Sequence, residues 1–173
     1  DWKLAVEHLV DTAHAGVARP GFSWDVFAPS EFEPVTDTAL RARATFATER
    51  ANEAWSARAS RTLLQRVAPA TDTAGCVLLW PNTLLQYAPD GLVVLQVLPL
   101  ATGLCTYRES RYALPGAARE MQLLRYLRRR VQRQALQADA RLLAKVQQGM
   151  ANGLEPGLIA ANGGLAPNEN SVF

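Results

Sequence analysis

The residues best suited to chemistry in this chain are its two histidines, His8 and His14, and the acid between them. They form the spacing His8-x-x-Asp11-x-x-His14 near the N-terminus. Imidazole nitrogens and carboxylates are the donor types that hold first-row divalent metals. The pattern alone is a weak signal, because a helical histidine is more often a surface group or a satisfied core group. Far downstream, Asp139 sits on a charged helical stretch, where an ordinary solvated acid is the bland reading. The run Arg125, Arg128, Arg129, Arg130 and Arg133 could meet nucleic acid. Its only interleaved aromatic is Tyr126 and the net charge is +2, so a solvated or subunit-facing helix is the expectation.

These groups need elements to position them. Trp2, Val6, Leu9, Val10 and Ala13 recur at helical spacing, which predicts a helix over 2–17 with Asp1 as N-cap, ended by Arg19-Pro20-Gly21. Residues 22–47 read as extended, with Ala42, Ala44 and Phe46 alternating against Arg41, Arg43 and Thr45. Residues 48–70, rich in Ala and Arg, fit either a helix or a loop. Strands are expected at 76–80, 83–87, 92–98 and 103–113, with Pro89-Asp90-Gly91 marking a turn. A long helix follows over 117–151, with Leu123, Leu127, Val131, Leu136, Leu142, Leu143 and Val146 as its apolar side. The Gly-, Asn- and Pro-rich tail from Asn152 onward reads as loop. The fold class is α+β, with helices packed on one antiparallel sheet.

The 173 residues, 49% of them hydrophobic, suit one globular domain with a sizeable core. The small net charge favours neither nucleic acid nor an anionic membrane as a partner. Cys76 and Cys105 lie in apolar stretches and read as reduced core thiols, which fits a cytoplasmic protein. No run is long and apolar enough for a membrane helix. The chain starts without Met and stops at Val172-Phe173, so it is expected to be a fragment of a longer protein.

The segment from Asp1 to His14, followed by Arg19-Pro20-Gly21, resembles the iron-binding helix of the Rieske-type aromatic-ring-hydroxylating oxygenase alpha subunits. Trp2, Lys3, Glu7, Asp11, His14 and Pro20 fall in register with that family's pattern. A second match is Asp139 followed by Val146-Gln147 and Gly149. Trp80-Pro81-Asn82, Pro89-Asp90-Gly91 and Leu98-Pro99-Leu100 resemble the family's middle, so the likeness covers most of the chain and is weakest over 30–70. It implies a helix-grip fold, an antiparallel sheet curled around a long C-terminal helix. It implies mononuclear Fe(II) held by two imidazoles and a carboxylate, with His14 and Asp139 among the ligands. It implies Asp11 as the electron link to a [2Fe–2S] cluster on a neighbouring subunit, which points to a homotrimer. The reaction would be hydroxylation or demethylation of a small organic substrate, aromatic compounds included, with O2. Electrons would come from NAD(P)H through a reductase or ferredoxin. Leu9, Thr12 and Ala15 neighbour His14 and are the expected pocket residues. The cluster's own ligands, paired Cys and His motifs, do not occur here, and a Rieske domain is expected upstream of Asp1.

One position breaks the pattern. The second imidazole should stand at position 19, which holds Arg19. A guanidinium stays protonated and offers no lone pair to a metal. Three readings stay open. Arg19 pairs with Asp139 and the iron site is degraded. His8, where the family has Asn, substitutes as ligand. Or a weakened site holds iron through His14, Asp139 and water. On an unbroken helix His8 and His14 would be separated by about 9 Å of rise and about 120° of rotation, so a shared metal needs a distorted helix. A degraded site would favour a rival function, a helix-grip pocket that binds a small molecule without reacting. Asp1 in place of Asn and Ala144 in place of Glu are further departures that remove no ligand.

Overall fold

A computed structural model describes residues 1–11, 27–29, 32–46, 55–68, 74–113, 115 and 117–153. The elements run in chain order as α1 (Trp2–Val10), β1 (Phe27–Pro29), β2 (Glu33–Thr36), β3 (Ala39–Phe46), α2 (Trp55–Val67), β4 (Gly75–Leu79), β5 (Thr83–Ala88), β6 (Gly91–Ala101), β7 (Leu104–Tyr112) and α3 (Arg119–Ala151). The seven strands form one antiparallel sheet in the order β1-β3-β4-β5-β6-β7, with β2 also paired to β3. From β4 to β7 it is a meander, because each strand is joined to the next by a turn too short for a crossover.

Strand alternation sorts the side chains to two faces. The register aligns Ala42, Cys76, Gln86, Val93 and Arg111 across the sheet, and Leu40, Leu78, Leu84, Leu95 and Glu109 in a second row. Val93, Leu95 and Val97 are buried while Val94, Gln96 and Leu98 are half-buried, the period-2 signature of one covered face. The covering elements are α1 and α3. Ala5, Val6 and Leu9 of α1 pack into one cluster with Ala42, Cys76, Leu78, Leu84, Leu95 and Val97, and Leu136 and Leu143 of α3 close it. A second cluster joins Leu64 of α2 to Leu124 of α3 and Ala74. This is the helix-grip arrangement expected from the sequence.

Two turns are held by α3. Pro89-Asp90-Gly91 closes the β5–β6 hairpin, and Gly91 takes φ +147° against the Tyr112 carbonyl, where a Cβ would collide. Arg128 forms a buried ion pair with Asp90, and Arg125 Nε donates to the Asp90 carbonyl at 2.8 Å. At the opposite end, Gln147 Nε2 donates to the Gly103 carbonyl in the β6–β7 turn at 2.8 Å.

Three expectations need correction. The first helix ends at Val10, not at residue 17: Asp11 is its C-cap in an extended conformation, ψ 101°. The arginine run is not uniformly solvated, since Arg128 is buried and Arg125 half-buried while Arg129, Arg130 and Arg133 are exposed. Leu123, assigned to the apolar side of the long helix, is 48% exposed, and its neighbour Leu124 is fully buried instead. The ambiguous stretch resolves into α2, 13 residues long. Asp1 is the N-cap, accepting from the Lys3 amide at 2.8 Å. Among the described residues no helix is long and apolar enough to cross a membrane.

Removing one partner of a buried ion pair leaves an uncompensated charge, at a cost of about 3–5 kcal/mol. Asp90→Ala should therefore lower the unfolding free energy by that order in urea titration, and adding Arg128→Met should recover most of the loss. Both cysteines are free thiols. Burial pushes the Cys76 thiol up to about 11, against a smaller opposing effect from its hydrogen bond with the Ala42 backbone. At pH 8 a thiol-specific disulfide reagent should label half-buried Cys105 in the native protein, and Cys76 only after guanidinium unfolding.

Candidate metal centre

Asp139 lies in the middle of the buried stripe of α3. Eleven residues after Arg128, it returns to within about 20° of the same helix face. Ala135, Leu136 and Leu143 flank it, and it is 3% exposed. A carboxylate in such a setting needs a partner, because desolvating an unpaired charge costs several kcal/mol.

The partner comes from α1. His8 is 9% exposed, and its Nε2 lies 3.2 Å from Asp139 Oδ1. That is ion-pair distance. The imidazole is placed by its own helix. Asp1 caps the first turn, and Ala5, Val6 and Leu9 anchor the helix in the sheet cluster, turning His8 toward α3. Leu9, expected in the substrate pocket, is 5% exposed and packs in this cluster.

The pair fits a metal in distance and donor type. Two donors bound to one metal at about 2.1 Å and at right angles lie about 3.0 Å apart. Among the described residues no three His, Cys, Asp or Glu side chains come together where they could hold a metal ion. His14 and Arg19 lie outside the described residues, as do Thr12 and Ala15. Asp11 is exposed at the C-cap of α1, three residues after His8.

A cavity of about 70 Å³ lies elsewhere, lined by Gln86, Asp90, Arg111, Tyr112, Arg125 and Arg128 among others. Arg128 and Asp139 are about 16 Å apart along α3, so this cavity does not adjoin the His8–Asp139 pair. It is walled by the turn clamp. Arg111 Nη2 donates to Gln132 Oε1 at 2.7 Å and Gln132 Nε2 to Gln86 Oε1 at 2.9 Å, a polar bridge between sheet and helix.

The profile of the family described as ring hydroxylating alpha subunit (catalytic domain) matches residues 2–172. The chain belongs to this family. A search of curated proteins returns no match. Ring-hydroxylating alpha subunits are oxygenases with a non-haem iron site, and here the catalytic domain brings a buried imidazole to the downstream aspartate of the pattern. In the sequence, His14 stands at the family's ligand position and His8 at its Asn position, and the spacing of a continuous helix argues against their sharing a metal.

Buried polar pairs are seldom the most stable solution for a core. After chelator treatment, Asp139→Leu alone should lose about 1–3 kcal/mol in urea titration, because His8 stays buried without the carboxylate. The double variant His8→Leu/Asp139→Leu should unfold no earlier than wild type.

Proposed function

We propose that this domain is the mononuclear-iron half of a Rieske-type oxygenase that hydroxylates or demethylates a small organic substrate. The observation that carries the reading is the buried His8–Asp139 pair, held between α1 and α3 in a domain of the ring-hydroxylating family. Asp139 would provide the anionic oxygen ligand and His14 an imidazole. Bound Fe(II) would supply the activation of dioxygen beside the substrate.

The chain's own residues have clear tasks. The apolar cluster beneath α1 excludes water from one side of the pair. Thr12 and Ala15, from the next stretch of chain, would wall the substrate pocket, while Leu9 anchors α1 in the sheet cluster. Asp11, exposed at the end of α1, is the proposed contact for an electron-donating [2Fe–2S] domain of a neighbouring subunit in a homotrimer. A reductase or ferredoxin drawing on NAD(P)H would reduce that cluster, in the cytoplasm.

Arg19 favours a second reading, in which the site has lost iron and the grip binds a small molecule without chemistry. One experiment separates the two. Protein prepared with its Rieske domain and a reductase should contain mononuclear iron. With candidate aromatic substrates it should couple NADH oxidation to oxygen uptake and carry ¹⁸O from ¹⁸O₂ into product. Asp139→Ala and His14→Ala should each abolish turnover and lower iron content. Absence of both iron and oxygen uptake in the wild type supports the binding reading.

A further inference from the structure

The guanidinium at position 19 leaves the family pattern one imidazole short. We infer that His8 supplies the missing imidazole: His8 Nε2 and Asp139 Oδ1 are adjacent ligands of the Fe(II), a ligand relocated to the position where the family carries Asn. The inference rests on the iron reading above and specifies how this chain completes that site.

Three observations carry it. The first is distance. At 3.2 Å the two donors subtend close to a right angle at a metal about 2.1 Å from each, the spacing of neighbouring corners in octahedral coordination. The second is placement. His8 and Asp139 sit on separate helices, and each helix is anchored by its own apolar contacts, Val6 and Leu9 on one side, Leu136 and Leu143 on the other. Donors fixed this way lose little conformational freedom on binding a metal. The third is the end of α1. On a continuous helix, His8 and His14 could not meet at one ion. Asp11 is extended and α1 stops at Val10, so the spacing of a continuous helix does not apply across Asp11. The objection to His8 as a ligand falls with the continuous helix that produced it.

The competing role is that of a positioning residue, with His8 orienting Asp139 and never touching the metal. Asparagine at position 8 distinguishes the two, because it keeps a hydrogen-bond donor beside the carboxylate and removes the imidazole. Purified protein would be titrated anaerobically with Fe(II), and the nitrosyl adduct of the loaded site examined by pulsed EPR to count coordinated imidazoles. Loss of an orienting partner weakens metal binding by about 10–100-fold. His8→Asn should weaken it beyond that range, and at saturating iron the adduct should show one imidazole fewer than wild type. His8→Asn/Arg19→His restores an imidazole at the family position. It should bind iron within about tenfold of wild type, which also shows that the fold survives the change at position 8. An unchanged imidazole count in His8→Asn overturns the inference and leaves the iron site standing. If neither the wild type nor Arg19→His binds iron, the oxygenase reading itself fails, and the inference with it.

Discussion

A carboxylate buried in the middle of an apolar helix face is the constraint on which the rest of this structure depends. Asp139 occupies a position that a stability-driven core would fill with Leu or Val, and it is almost fully removed from water. Such a group persists only where something compensates its desolvation. Here α1 brings the His8 imidazole across from the other side of the gap. Local rules broken without stabilising gain are the expected mark of a functional site, and Asp139 is the residue proposed above as the iron's carboxylate ligand.

The same logic runs the length of α3. Its buried stripe carries Arg128, Gln132 and Asp139, with Gln147 nearby, among Leu124, Val131, Ala135 and Leu143. Each polar side chain meets a different part of the molecule: the Asp90 turn, Gln86 and Arg111 of the sheet, His8 of α1, and the Gly103 turn. Apolar packing is tolerant of small slides and rotations, whereas these contacts are directional. They set the helix's register over the sheet, and so the depth at which Asp139 stands. The downstream pair of the motif then has a division of labour: Asp139 faces His8 of α1, while Gln147, two turns on, ties the helix to the β6–β7 hairpin.

Much of this was legible in the residues. The four strands of the meander follow from period-2 alternation broken by turn residues, and they stand within a few residues of where the pattern put them. The N-cap at Asp1 and the long C-terminal helix are local features as well. What failed shares one cause. Trp2 to Ala13 carries a helical pattern throughout, yet the helix stops at Val10. The arginine run looks like a solvated face, yet Arg128 is buried. Leu123 and Leu124 are equivalent in hydropathy, and only the direction of the facing sheet and α2 decides between them. In each case an environment supplied from elsewhere in the chain overrides the local preference.

The sequence by itself therefore determined the class of the protein: the strand and helix pattern, the family motifs at both ends of the domain, and an arginine at position 19, where the resemblance implies an imidazole. These depend on residue type and short spacing, which a linear reading contains. The tertiary structure decided that the His8 imidazole meets Asp139. That contact depends on how α1 crosses α3 over the sheet, and His8 and Asp139 stand far apart in the chain. No local pattern encodes a contact of that range; it arises only when the apolar faces of both helices close on the same surface of the sheet.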